Sequence, residues 1–325
     1  MTAASPPEIL PIAKPVGAVR GRMPGGGWIS SASMARLTPY VYILPAVLVM
    51  IAGLAYPIIE AVRLSFYDWP MGTDFDTTAK FIGLDAFAQM LQSSQVWTSM
   101  GITIAFVLIA VTAEMVLGIA LALFLEKPVR GMRFFRTIFV LPMMIAPICV
   151  GLIWRYMFDA SFGPINQALA WIGVEPHAWL AEPVLAFSAM VVTDIWQWTP
   201  FVLIMVLAGL QGLDSSVMEA SRIDGANWWQ QIIRVKLPMI KPILIVTLLA
   251  RMIDGFRGLE VIYVMTFGGP GQATELFSLH IFKAAFISQK LGYSAALSIL
   301  LLVIVSILSV AILLIANPLK ASKSS

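Results

Sequence analysis

EASRIDGANWWQQIIRVKLP, residues Glu219–Pro238, is a polar, amphipathic stretch in a chain that is otherwise mostly apolar. Its composition predicts two short helices. Ser216, with Glu219 three residues on, reads as a capping box that opens the first, and Gly225 stands where a left-handed helix end favours glycine. From Asn227 to Val235 the apolar residues Trp228, Trp229, Ile232, Ile233 and Val235 share one arc at 3.6-residue spacing. Asn227, Gln230, Gln231 and Arg234 take the other arc. Pro238 then marks a turn into the next apolar run. An amphipathic helix lying on a membrane, its tryptophans among the headgroups, accounts for the Trp-Ile face. It leaves the polar first helix and its terminal glycine without a purpose.

The surroundings of the stretch are a membrane protein's. Of 325 residues 59% are hydrophobic and 12% charged, about half the charged share of a soluble domain. A bilayer-spanning helix needs about 20 predominantly apolar residues, and six runs qualify: Leu37–Ile59, Val96–Leu125, Thr137–Trp154 bent by Pro142 and Pro147, Val184–Leu210, Pro242–Phe267 and Leu291–Leu319. The expected fold is therefore all-α and polytopic, with six transmembrane helices in residues 37–319. Residues 1–36, rich in Pro, Gly and Ser and without the apolar core of a signal peptide, read as a flexible cytoplasmic tail, and residues 320–325 as a second.

Basic residues near helix ends set the orientation. With both termini cytoplasmic, the inner side collects Lys14, Arg20, Arg22, Arg36, Lys127, Arg130, Arg133, Arg136, Arg222, Arg234, Lys236, Lys241, Lys320 and Lys323, which is 14 of the 21 Lys and Arg. Residues 211–241, including the opening stretch, then form a cytoplasmic loop between the fourth and fifth spans. The net charge of +3 and the scattering of basic residues among loops exclude a nucleic-acid binder. A lone cysteine, Cys149, excludes a disulfide framework and reads as a buried membrane cysteine. His177 and His280, placed in outer loops, have neither metal-ligand spacing nor a nucleophilic partner, which argues against an enzyme.

Two polar groups fall inside spans. Arg251, Asp254, Arg257 and Glu260 alternate in sign at intervals of three, and a charge at the centre of a lipid-facing helix costs about 2.5–3.5 kcal/mol even on lenient scales. Most of them must face protein or water, either as ion pairs that lock helices together or as the wall of a path, with Arg257 and Glu260 nearer its outer mouth. The second group is DIWQWTP, Asp194–Pro200. Trp196 and Trp198 offer flat apolar faces, and Asp194 and Gln197 offer hydrogen bonds, the combination that carbohydrate recognition uses; ordinary packing explains the tryptophans as well. Glu114 reads as a hydrogen-bonding group toward a neighbouring helix.

Glu219-Ala220-Ser221, three residues, Gly225, nine residues, Val235, one residue, then Leu237-Pro238 resembles the "EAA" loop of ABC importer permeases, with Ser221 for the usual Ala and Val235 for the usual Ile. GMRFFRTIFVLP (Gly131–Pro142), GLIWRYMFD (Gly151–Asp159) and VIYVMTFGGPGQATE (Val261–Glu275) are similar to the maltose-type, carbohydrate-uptake branch of that family, and the likeness runs from about Tyr40 to Leu319. The resemblance implies that the loop is a coupling helix docking on a cytoplasmic ATPase through Glu219, Ala220, Ser221, Gly225, Leu237 and Pro238. It implies two copies of that ATPase using ATP and Mg, a second related permease subunit, and a solute-binding protein that delivers a sugar or glycoside across a bacterial inner membrane. By the same resemblance the substrate path takes Asp194, Trp196, Gln197, Trp198, Arg251 and Asp254 from the helices flanking the loop. The chain has no GxxxxGK[ST] phosphate loop, so the motor belongs to another polypeptide. An ion-coupled carrier with Asp194, Glu114 and Asp254 as proton sites is the competing reading; it leaves the loop motif unexplained, and a channel leaves it equally so.

Overall fold

The computed structural model describes residues 31–126 and 131–316. Lys14, Arg20, Arg22, Lys127, Arg130, Lys320, Lys323 and the tail 320–325 lie outside the described residues. The elements in chain order are α1 (Ser31–Leu64), a two-stranded ribbon of β1 (Tyr67–Asp68) and β2 (Lys80–Phe81) enclosing α2 (Phe75–Thr78), α3 (Asp85–Gln92), α4 (Ser94–Leu125), α5 (Met132–Met144), α6 (Pro147–Met157), α7 (Pro164–Trp171) and α8 (Pro183–Gln211). They continue with α9 (Ser215–Ile223), α10 (Trp228–Gln230), a π-turn π1 (Gln231–Lys236), α11 (Leu237–Met239), α12 (Lys241–Arg257), α13 (Glu260–Met265), α14 (Phe277–Phe282), a second π-turn π2 (Lys283–Ile287) and α15 (Leu291–Ala316). The chain divides into two compact units, residues 1–56 and 57–325. Described residues of the first are the leading turns of α1, so helix starts at Ser31, inside the stretch expected to be an open tail.

Among the described residues, four helices are long and apolar enough to cross a membrane, within Pro39–Leu64, Ser94–Leu125, Pro183–Gln211 and Leu291–Ala316. The third expected span is bent, as its prolines predict, but the break falls at Pro147 while Pro142 stays inside α5. Thr137–Met144 and Pro147–Met157 meet at 102°, because Pro147 has no N–H to give and drives the residue before it out of helical geometry. The fifth also differs from expectation: the run Pro242–Phe267 is a 17-residue helix, α12, that stops at Gly258 before α13 begins. At 1.5 Å per residue α12 spans about 25 Å, short of a hydrocarbon core of about 30 Å.

α4 and α8 form the spine of the second unit. Their upper halves pack with α12 through Phe106, Val107, Ala110, Met190, Met252 and Phe256. Their lower ends pack with the entry to α12 through Ala122, Leu125, Val202, Leu203, Val206, Leu210 and Ile240. Close approach depends on Gly118, where an added Cβ would lie 2.5 Å from Val202 Cγ1; small residues let apolar helices meet when lipid supplies no hydrophobic drive between them. Gly118→Leu should therefore pry α4 from α8, seen as a lower yield of folded protein and a lower melting midpoint in detergent. The same change at Gly101, where a Cβ meets nothing within 4 Å, should be mild.

Two single-residue expectations change. Cys149 is exposed on the chain's surface near the start of α6 rather than buried. His280 belongs to the buried face of α14, not to an outer loop. Its Nδ1 lies 2.8 Å from Glu275 Oε1, and Lys283 Nζ donates to Glu275 Oε2 at 2.6 Å. Burial pushes the Glu275 carboxyl up, but the hydrogen bonds from His280 and Lys283 outweigh it and hold the group below the usual carboxylate range. The cluster clips the connection after α13 onto α14 and π2.

Candidate functional site

The loop between α8 and α12 is a folded unit with its own caps. α9 opens on Asp214, not on a Ser216–Glu219 box: Asp214 Oδ1 accepts from the Ser216 N–H at 2.9 Å. Those hydrogen bonds from Ser216 hold the Asp214 carboxyl below its ordinary value. The capping box belongs to the following helix, where Asn227 Oδ1 accepts from the Gln230 N–H at 2.9 Å and Gln230 Oε1 accepts from the Asn227 N–H at 2.8 Å. At the end of α9, Gly225 adopts φ +78°, the left-handed backbone that its sequence position suggested. The Ala226 N–H then closes back on the Ser221 carbonyl at 3.0 Å.

Glu219 and Ala220 face outward, whereas Ser221 is buried and donates its hydroxyl to the Met218 carbonyl at 2.8 Å. The expected single apolar arc of the second helix does not form. Ile232 is buried, while Trp228, Trp229 and Ile233 are exposed. Residues 231–236 wind as a π-turn, whose i→i+5 bonding shifts side chains off the 3.6-residue register. Leu237 packs onto the lower cluster of α4 and α8, and Pro238 sits in the first turn of α11.

At membrane depth the charges converge. Arg251, 1% exposed, donates from Nε to Glu114 Oε2 at 2.7 Å and from Nη2 to Glu114 Oε1 at 3.0 Å. Nη2 also donates to Asp194 Oδ2 at 3.1 Å, and Nη1 to Asp254 Oδ2 at 2.7 Å. The guanidinium carbon stands 4.7 Å from the centre of the Trp198 ring. One cation thus ties α4, α8 and α12 together, with the forked geometry that a guanidinium offers a carboxylate. Taking charges out of water is repaid only when nearly every donor finds a partner, and Arg251 meets that condition. Glu114, read from sequence as a hydrogen-bonding group, is half of the fork.

Above this knot lies a cavity of about 200 Å³ walled by Asp194, Trp198, Asp254, Arg257, Glu260 and Pro147, among others. It exists because helices break there. The Pro147 end of α6 and the Gly258-Leu259 gap between α12 and α13 both line it. Irregular backbone at membrane depth is tolerated where it is buried in protein or faces a wet cavity. α6 and α13 are pressed close beside it, for an added Cβ at Gly151 would stand 2.9 Å from the Val261 carbonyl oxygen.

Of the residues expected to line a path, Asp194, Trp198 and Asp254 reach this cavity, and Arg251 lies against them as their shared cation. Trp196 and Gln197 do not reach it. Trp196 points to another side of α8, edge-on to Trp154 at 5.5 Å, in an apolar hollow with Ile138, Phe139 and Pro142. Gln197 is fully buried, its Nε2 3.4 Å from the Ile145 carbonyl at the break between α5 and α6. Asp194 and Trp198 are four apart and share a helical face, whereas Trp196, two residues from each, points to another side. Phe106 and Met190, which also line the cavity, carried no signal beyond apolar periodicity.

Three comparisons bear on this arrangement. Residues 114–319 match the family described as binding-protein-dependent transport system inner membrane component. The chain is 35% identical over 266 residues to the trehalose/maltose transport system permease protein MalF of Thermococcus litoralis, across 82% of this chain and 89% of that protein. It is 31% identical over 274 residues to the trehalose transport system permease protein SugA of Mycobacterium tuberculosis, across 84% and 87%. In fold it superposes, at a TM-score of 0.73 and 23% identity, on a chain from a bacterial ABC transporter involved in the import of the acidic polysaccharide alginate, covering 90% of this chain and 99% of that one.

Proposed function

The chain belongs to the family of binding-protein-dependent transport system inner membrane components, and from that premise we propose that it forms half of the path by which an ATP-driven importer passes a sugar or glycoside. The observation that carries the substrate is the cavity: an indole, Trp198, stands beside the carboxylates Asp194 and Asp254 at a point where two helices are interrupted. Carboxylates accept hydrogen bonds from sugar hydroxyls, and an indole face suits sugar C–H groups. The names of the trehalose- and maltose-type relatives support the same class.

In this reading the α9 loop faces the cytoplasm and docks on an ATPase, two copies of which bind ATP and Mg. A second, related permease completes the path, and a solute-binding protein delivers the sugar on the far side of a bacterial inner membrane. Six crossings, counting the bent α5–α6 pair as one and α12 with α13 as another, put both ends of the chain in the cytoplasm. Glu219, Ala220, Ser221, Gly225, Leu237 and Pro238 form the transmission element. The loop runs directly into α8 and α12, the helices that carry Trp198 and Arg251, so a displacement of the loop reaches both walls of the cavity.

Trp198→Ala and Asp254→Asn test the sugar contact. Each should raise the apparent KM for sugar about tenfold, the scale of one lost hydrogen bond or ring contact, while the assembled complex and its basal ATP hydrolysis persist. Wild-type transport kinetics in both would assign these residues to the ion-pair knot alone.

A further inference from the structure

The loop also touches a helix to which it is not directly joined. Lys236, the last residue of π1, donates through Nζ to the carboxylate of Glu126, the residue that caps the end of α4. Both side chains are largely buried, 13% and 24% exposed. Beside this pair, among the described residues, lies apolar packing of Ala122 and Leu125 of α4 with Leu237 and Ile240. Apolar packing is non-directional and lets one surface slide on another, whereas a charge-assisted hydrogen bond fixes position. Twelve residues before Glu126, which is about 18 Å of helix, α4 carries Glu114, held by both Nε and Nη2 of Arg251. α4 is thus pinned at one end to the loop and farther up to α12, at the floor of the cavity.

We propose that the Lys236–Glu126 pair is a positioning strut that makes α4 follow the loop, so that the ATPase stroke reaches Arg251 through α4 as well as through α8 and α12. The proposal rests on the importer reading given above. Loss of the strut leaves the loop's outward face, with Glu219 and Ala220, unchanged. It removes a fixed register between loop and α4. Docking on the ATPase then persists while hydrolysis and transport part company. A pair that only stabilised the fold would lower yield and melting point and leave the ratio of ATP consumed to sugar moved unaltered.

The test uses the complete importer, with both permeases, the ATPase and the binding protein, in proteoliposomes supplied with radiolabelled maltose or trehalose. Lys236→Gln and Glu126→Gln should retain the ATPase on pull-down and keep basal hydrolysis. ATP consumed per sugar imported should rise about threefold or more, the low end of measured coupling between sites. Lys236→Arg should behave as wild type, and the exchange Glu126→Lys with Lys236→Glu should restore the ratio. Single variants with a wild-type ratio, single variants that shed the ATPase, or an exchange that restores nothing would each overturn the strut. A wild-type complex that moves neither these sugars nor any other sugar or glycoside its binding protein accepts would instead remove the importer reading, and the strut with it.

Discussion

Arg251→Met is expected to be the most damaging single change in the protein. Removing the guanidinium takes away Nε and both Nη groups at once and leaves Glu114, buried and without its fork, beside Asp194 and Asp254. Breaking a buried pair by deleting one partner costs about 3–5 kcal/mol, which is at least about two powers of ten in a folding equilibrium. Transport should vanish, and the melting midpoint in detergent should drop steeply. Arg251→Lys should recover only part of the loss, because an ammonium cannot bridge both Glu114 oxygens and stack against Trp198 from one position. Asp254→Asn, at the partly exposed side of the knot with 46% of its side chain open, should leave the fold intact. A well-folded, transporting Arg251→Met protein would mean that the knot is incidental.

The second large effect belongs to Gly225 and Glu219, and here the fold should survive. Gly225 holds φ +78° with open space where a Cβ would go, so Gly225→Val meets no clash and suffers only the backbone penalty. That penalty is about 1–2 kcal/mol for a side chain in the left-handed region, with a β-branched residue at the unfavourable end. The turn that presents α9 would give way before the spans did. Glu219→Lys reverses the charge of an exposed side chain on the same helix. Both variants should insert normally and lose ATP-dependent transport. Pull-down separates failed docking, in which the ATPase is absent, from failed coupling, in which it is bound and idle. Gln230→Ala should fall between these variants and wild type, since Gln230 closes the capping box with Asn227 and such a cap contributes about 1 kcal/mol. Normal transport by both Gly225→Val and Glu219→Lys with ATPase bound would favour a helix that simply lies on the membrane.

What could be read from sequence follows from what local chemistry encodes. The long spans were legible because about 20 apolar residues admit few other readings; α4 and α8 start and stop within two residues of the expected bounds. Gly225 was legible because a left-handed helix end requires it. The knot was half legible: burying Arg251 demanded acidic partners, and i, i+3 spacing supplied Asp254, but the Glu114 fork spans 137 residues of sequence. Trp196 and Trp198 look alike in composition, and only the helical phase, fixed by packing against α4, sends one to the cavity and the other to Trp154. The bend at Pro147 was legible from the proline itself, whereas the break at Gly258 hid inside a run that reads as one continuous helix. The π-turn at 231–236 had no signal in the sequence, and it displaced the predicted apolar arc.

The central claim is that this chain moves solute only as part of an ATP-driven, binding-protein-fed importer, and vesicle uptake tests it most directly. Inverting the energy source is the decisive manipulation. Proteoliposomes holding the full complex, with a sugar-loaded binding protein outside and ATP with Mg inside, should import the sugar. Uptake should persist when a protonophore collapses the proton gradient, and it should cease when ATP is withheld or when this chain is reconstituted alone. Sugar uptake by this chain alone, driven by an imposed proton or sodium gradient and indifferent to ATP, would contradict the account and make Asp194 and Asp254 the ion sites of a secondary carrier.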